Sequence, residues 1–423
     1  MQEKLLHYIW QQKLFMAFPQ YTTNGLPLQV IDPGQYNSDS GPDFFNAKIQ
    51  IADTYWAGNI EIHNRASDWY LHGHHNDKAY DNVILHVVAH SDVDIRRTDG
   101  TLIPQCQLRF PEPIIQRYRN WCNNGEHIPC RDTIKHVPQL FLHNWLEVLA
   151  IQRLDDKIGD IRRCLTQCRG GDDEAFYIML ARAFGFHTNS LPFELTAKSL
   201  PLQYIERHRG QPRQVEALLF GQAALLNTND QYGKLLTGEY NFLRHKFSLT
   251  PIDHKLWKRL RMRPTGFPEL RLAQFAELLL TRQRILSQVI DNPELEALRQ
   301  LFTVTAPEYW NNHYSLGKIA GKSFPKTLGE QSVDNIIINV AAPFIYYCAV
   351  KRDDATLAAR ALTLLTRLPA ENNSVIRLWQ QAGIKADNAL DSQALLQLYN
   401  KYCRNRDCLR CRLARQMLKK LEK

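Results

Sequence analysis

Two acids and a histidine stand out by type and spacing: Asp43, in Gly41-Pro42-Asp43-Phe44, and Glu61 with His63, in Asn59-Ile60-Glu61-Ile62-His63. Each set borders a stretch in which apolar and polar residues alternate, Ala47 to Ile51 and Asn59 to His63, the period of a β-strand. On a strand Glu61 and His63 share one face, while Ile60 and Ile62 anchor the other. Asp53 and Gly58 supply a turn, and a hairpin folded near Asp53 brings Asp43 within a few residues of Glu61. Two carboxylates so placed can share a divalent cation, Mg²⁺ or Mn²⁺, that activates water and neutralises charge on a scissile phosphate. His63 then serves as general base or as a third ligand, and in the second role favours Mn²⁺ or Zn²⁺.

Other residues could support that chemistry. His72, His74, His75, His86 and His90 crowd one region, where two or three imidazoles can bind zinc. His72 and His74 lie near Glu61 in sequence and can line the same cleft, whereas His86, inside an apolar run, reads as a hydrogen-bonded core histidine. Lys48 or Lys78 can supply a cation, and Tyr80 either meets substrate or packs on the sheet. Arg259, Arg261 and Arg263 alternate with Leu260 and Met262 and can clamp a phosphate or an internal carboxylate; Trp257 offers a stacking surface. Cys403-x4-Cys408-x2-Cys411 has the first spacings of a plant-type iron–sulfur site and also suits zinc. A fourth ligand must come through the fold, from Cys122, Cys130 or Cys348.

The elements that must position these groups follow from periodicity. Leu5, Leu6, Ile9, Trp10 and Leu14 recur at helical spacing. Three strands follow, at Leu28 to Ile31, Ala47 to Ile51 and Asn59 to His63, then a short helix over His75 to Asn82 and a strand, Val83 to Val88, apolar enough to be buried on both faces. Pro104, Pro111 and Pro113 mark a boundary. Beyond it helical patterns dominate: Leu140 to Leu165, Asp172 to Phe184, Gln214 to Leu226, Phe267 to Leu286, Asp334 to Val350 and Ala355 to Leu368. The expected class is α+β: an αβββαβ module over residues 1–112 and a helical domain over 113–423 with a basic, cysteine-containing end. No fixed-period repeat is present.

Composition sets the frame. The chain has 423 residues, 44% of them hydrophobic, enough to fill a core and to exclude a disordered protein. No apolar run approaches the roughly 18 residues of a bilayer span, and the N-terminus lacks a signal-peptide core. Nine cysteines at irregular spacing point to reduced thiols and a cytoplasmic setting. Charge is uneven: residues 1–112 hold 8 Lys/Arg and 13 Asp/Glu, while the last 23 residues hold 9 basic and 2 acidic side chains, and the stretch 244–263 holds 7 and 1. Cation-binding carboxylates beside a surface that attracts a polyanion suggest a nucleic-acid partner and no membrane.

Pro42-Asp43 opening the second strand of an αβββαβ order, with Glu61-Ile62-His63 on the third, resembles the PD-(D/E)XK nuclease superfamily. His63 stands where that superfamily has lysine. Asn76-x3-Tyr80 is similar in position to the Gln-x3-Tyr element of RecB-like members. The resemblance implies a metal-dependent phosphodiesterase acting on nucleic acid, with Asp43 and Glu61 holding the metal; the departure at His63 implies a changed site or an inactive core that binds nucleic acid or serves as a scaffold. Taken whole, the chain resembles a bacterial family catalogued as domain of unknown function 2851. Gly41 to Phe44, Gly58 to His63, Ser67-Asp68-Trp69, His72-Gly73-His74, Val83 to Val88, Arg261 to Pro264 with Phe267-Pro268, and the C-terminal cysteines carry that resemblance. It implies no activity.

Overall fold

The alternating runs become the centre of a seven-stranded sheet in the computed structural model, which describes residues 3–168, 171–228 and 230–421. Strands β1 (Gln20–Tyr21), β2 (Pro27–Asp32), β3 (Gln35–Tyr36), β4 (Phe44–Ile51), β5 (Thr54–Arg65), β6 (Val83–His90) and β7 (Gln105–Gln107) assemble in the order β1-β2-β4-β5-β6-β7, with β3 beside β4. Pairing is antiparallel from β1 to β5 and parallel from β5 to β7.

The β4–β5 hairpin turns at Ala52 and Asp53, with Phe44 opposite Ile60, so Asp43 falls opposite Glu61. A register shift just after Phe44 puts Asn46 in the left-handed region, φ +56°, and its N–H donates to Asn59 Oδ1. Gly58 lets β6 approach β5: a Cβ there would stand 2.4 Å from Ile84 Cγ2 and 2.8 Å from the Asn82 carbonyl oxygen. Every residue of β6 except His90 is buried, as its unbroken apolar run predicts.

Helix α1 (Glu3–Gln11) buries Leu5, Leu6, Ile9 and Trp10, and the Trp10 indole N–H donates to the Pro33 carbonyl. It ends before Phe15, because Lys13 takes a positive φ, and Leu14 and Phe15 are buried in the turn that follows. No single helix covers His75 to Asn82. Helix α2 (Asp68–Leu71) is followed by two 3₁₀ turns, His74–Asn76 and Lys78–Tyr80. They are set apart by Gly73 at φ +77° and by an extended Asp77, whose carboxylate accepts the Ala79 N–H. Local side-chain capping overrides helix propensity here.

The chain divides into two compact units, and the division is not at the prolines. Pro113 lies in the first turn of α3 (Glu112–Asn123), where a missing N–H is harmless. One unit comprises Met1–Trp145, Gln381–Ile384 and Leu398–Lys423; the other comprises Leu146–Gln380 and Lys385–Gln397. The expected division into residues 1–112 and 113–423 is thereby corrected: α3, α4 (Arg131–Ile134), the start of α5 (Gln139–Gln167) and the C-terminal segment join the sheet unit.

The second unit is helical around Phe184, Phe220, Phe275, Trp310 and Phe344. The pattern over Phe267 to Leu286 splits into helices Pro268–Thr281 and Ile285–Asp291 at Arg284, which has φ +45°. A continuous 23-residue helical run, Glu330–Arg352, is long and apolar enough by composition to cross a bilayer, contrary to the sequence expectation, which Asp334, Asn335 and Asn339 obscured. Its apolar stretch is mostly buried within the protein, as in a core helix. The class is α+β, as expected.

Candidate metal centre

The Asp43 and Glu61 carboxylates are pinned by backbone N–H groups of the facing strand. The Asp43 N–H donates to Glu61 Oε2 at 3.1 Å, and the Ile62 N–H donates to Asp43 Oδ2 at 2.9 Å. Glu61 Oε1 lies 3.4 Å from His63 Nε2 and 3.3 Å from His74 Nε2. His63 Nε2 also stands 3.1 Å from His72 Nδ1. One ligand atom each from His63, His72 and His74 falls within 4.8 Å of the others.

Strand alternation puts Glu61 and His63 on one face; the α2 segment and its Gly73 turn deliver His72 and His74. The His74 ring stacks on Tyr80 with centroids 3.8 Å apart and meets Trp69 edge-on. Tyr80 is 9% exposed, so it packs the histidine in place and does not present itself to substrate.

A chain of hydrogen-bonding groups runs behind His63. Its Nδ1 is 2.8 Å from His86 Nε2, and the Gln105 side chain acts on the His86 ring. The Gln105 amide donates to the Val93 carbonyl, while Gln105 Oε1 and His86 Nδ1 are buried without a hydrogen-bond partner. His63 Nδ1 and His86 Nε2 share one proton between them, and His63 Nε2 faces Glu61. An outer partner of this kind holds the ring orientation of a metal-ligating histidine.

Protonation suits the same role. Burial, with His86, His74 and His72 nearby, pushes His63 down to about 2; burial pushes His86 down to about 3 and lowers His74. Burial and the neighbouring Asp43 carboxylate push Glu61 up to about 9. Near neutral pH His63, His86 and His74 are therefore neutral imidazoles, the ligating form, and Glu61 is a carboxylic acid whose proton a cation would displace. Three nitrogens and a carboxylate fit Mn²⁺, Zn²⁺ or Fe²⁺ better than Mg²⁺.

A model of the family described as Protein of unknown function (DUF2851) matches residues 3–374. The chain belongs to that family. No curated protein and no solved structure matches it. The match ends before Cys403, so the C-terminal cysteines lie outside it.

Of the residues singled out in this DUF2851 chain, Asp43, Glu61, His63, His72 and His74 come together. Lys48 does not: it is exposed on the strand face opposite Ala47 and Ile49, five positions from Asp43, on the order of 15 Å along β4. Lys78 is exposed on its 3₁₀ turn. Arg261 and Arg263 are exposed and belong to the other unit. Arg259 holds Glu269 through two hydrogen bonds, which is the internal-carboxylate role. Trp257 is no stacking platform; it is 7% exposed and its indole N–H donates to the Ala223 carbonyl. His86 is the buried, partnered histidine its apolar strand predicts, although its partner belongs to the site.

Sequence reasoning missed His7. On α1, its Nε2 reaches 3.2 Å from Asp43 Oδ2. Burial alone would lower its pKa, but the Asp43 carboxylate outweighs burial and the net shift is upward. The available signal was a histidine interrupting the apolar run Leu5-Leu6-x-Tyr8-Ile9. His7 also lines a cavity of about 740 Å³ with Lys4, Tyr36, Tyr118, Arg406 and Arg410.

Proposed function

We propose that the sheet unit is a metal-dependent phosphodiesterase acting on nucleic acid. The observation that carries this reading is the convergence of three imidazoles and the Glu61 carboxylate at one point, next to the Asp43–His7 pair. His63, His72, His74 and Glu61 would hold the ion, with Asp43 beside them. When bound, a divalent ion supplies Lewis-acid stabilisation of a phosphate and a lowered pKa for water.

The chain's own groups supply the rest. Asp43 orients His7 and keeps it protonated to higher pH, so His7 can donate a hydrogen bond or a proton to an oxygen in the cavity. Lys4, Arg406 and Arg410 favour a polyanion there, and the exposed Tyr36 offers a ring face to a base. Of the two roles open to His63, ligand is the better supported: it is 1% exposed and its basicity is suppressed. The strand order with Asp43 and Glu61 opposed also supports kinship with PD-(D/E)XK nucleases, and nine free thiols support a cytoplasmic setting.

Purified protein supplied with Mn²⁺, Zn²⁺ or Mg²⁺ should cleave single- or double-stranded DNA or RNA. His72→Ala and Glu61→Gln should each lower the rate by about 100-fold or more. Absence of cleavage with every metal, with Glu61→Gln behaving as wild type, overturns the enzyme reading. Salt-dependent binding without cleavage would point instead to an inactive, nucleic-acid-binding core.

A further inference from the structure

Helix α5 lines a cavity of about 650 Å³ in the helical unit with Arg153, Asp156, Lys157 and Asp160. The spacing of these positions sets their side chains on one helix face. Every residue that lines the cavity belongs to this unit, so it is separate from the imidazole site.

Most charges around the cavity already have partners. Arg182 pairs with Glu194, and Asp160 with Arg163. Asp156 Oδ2 accepts the Gln397 amide at 2.9 Å, and Glu371 Oε2 accepts the Gln393 amide. Gln393 Oε1 in turn accepts Arg153 Nε at 3.3 Å, so an amide stands between that guanidinium and the Glu371 carboxylate. Among the described residues neither Arg153 nor Lys157 forms an ion pair. Two cations left without a carboxylate on one wall of a cavity favour an anionic ligand.

Lys157 is only 9% exposed, and its Nζ donates to Asn339 Oδ1 at 2.7 Å. Asn339 lies in a π-helical turn, Ile337–Ala341, within the run Glu330–Arg352. Its own amide donates to the Asn335 carbonyl at 3.1 Å, which turns Oδ1 toward the lysine. Single π turns inside helices gather at functional sites. An ammonium at Nζ would carry three donors and meet this one acceptor among the described residues. An unprotonated amine needs no more than that acceptor and keeps a lone pair for the cavity. Burial and the Arg153 guanidinium push Lys157 down to about 7, against the pull of Glu371 and Asp160. A desolvated lysine beside a second cation is the activated form of an amine nucleophile.

We propose that this cavity binds an α-keto acid, whose carbonyl condenses with Lys157 while Arg153 holds its carboxylate. Nζ forms a bond to the keto carbon, the carbonyl C–O bond breaks, and both amine hydrogens leave with that oxygen as water. The product is an imine, and no oxidant or reductant enters the balance. Arg153 sits one turn before Lys157, within reach of the carboxylate on the adjacent carbon, and its terminal nitrogens can fork onto both oxygens. Met179, Phe186 and Leu396 give the cavity an apolar wall, which suits an acid with a branched or aromatic side chain.

Full-length protein incubated with α-ketoisocaproate and cyanoborohydride should carry a stable adduct. Peptide mapping should place it on Lys157, at least about 10-fold above the exposed Lys255 and Lys318. Methyl isobutyl ketone has the same chain with a methyl in place of the carboxylate. Arg153→Gln should lower trapping of the acid about 10-fold relative to that ketone. Should the variant fail to fold, the wild-type protein decides: isocaproate, which keeps the carboxylate and lacks the keto group, should slow trapping of the acid at Lys157. An unmodified Lys157, labelling no greater than at Lys255, no competition by isocaproate, or an unchanged preference for the acid in folded Arg153→Gln overturns the proposal. None of these readouts depends on phosphodiesterase activity.

Discussion

The imidazole cluster and the thiol cluster of the sheet unit are assembled in opposite ways. Glu61, His63, His72 and His74 fall within one short stretch, held by a strand and a tight turn, with Asp43 delivered by the adjacent hairpin strand. Cys130, Cys403, Cys408 and Cys411, all buried, come from two stretches separated by most of the chain. A site built locally can lose its ion and keep its frame, because strand pairing and the Trp69–Tyr80 packing persist without it. The segment from Cys403 to Cys411 is held instead by long-range bonds, Arg406 to the Trp121 carbonyl and to Asn124 Oδ1, and by the burial of its thiols. The histidine site should therefore govern chemistry, and the cysteine site should govern stability.

The largest expected effect tests that division. Cys408→Ser, which puts a hydroxyl without a matched partner among buried thiols, should lower the melting temperature by on the order of 10 °C. His72→Ala should shift it by only a few degrees in calorimetry. Equal shifts would break the contrast.

A smaller effect separates the clusters by pH in metal-free protein. His86 has a folded pKa depressed to about 3, so its stabilising contribution is present above its unfolded value, 6.5, and is lost as pH falls toward 3. Cys408 has a folded pKa raised to about 12 from 9.0, so its contribution is present below 9.0 and is lost as pH rises through 12. Each contribution is on the order of a few kcal/mol at its extreme. Glu61, raised to about 9, opposes the acid loss, since its own contribution is full below its unfolded value, 4.5, and fades as pH rises through 9. Denaturant melts across pH should show His86→Gln flattening the acid flank alone and Cys408→Ala the alkaline flank alone; the reverse assignment would refute the pairing of cluster with flank.

The smallest effect sharpens the histidine side. Gln105→Leu removes the polar side chain that acts on the buried His86 ring, the partner of His63. Metal affinity by titration should fall about 10–100-fold with little change in fold, and an unchanged affinity would dissociate Gln105 from the site.

Much of the imidazole site was readable along the chain. Alternation marked β4 and β5, and a turn near Asp53 required Asp43 and Glu61 to oppose one another. The spacing of His72 and His74 announced candidate ligands but gave no orientation, because Gly73 and Asp77 break the helix that the pattern suggested. His7 was hidden for a different reason: a helix face is defined by what packs on it, and α1 presents His7 to Asp43 only once Trp10 and its apolar neighbours are seated. The arginines at 259–263 show the converse. Their spacing was legible, but only packing revealed that Arg259 is spent on Glu269 and that Trp257 is buried.

The amino-acid sequence by itself determined the strands, the helical remainder and the identity of the groups able to bind metal, because periodicity and side-chain chemistry are local properties. Tertiary structure decided which of those groups meet: His7 with Asp43, His86 with His63, and the helix that Cys130 opens with a C-terminal helix about 280 positions away. Such encounters depend on how whole faces pack and on long loops closing, neither of which any short window of residues encodes.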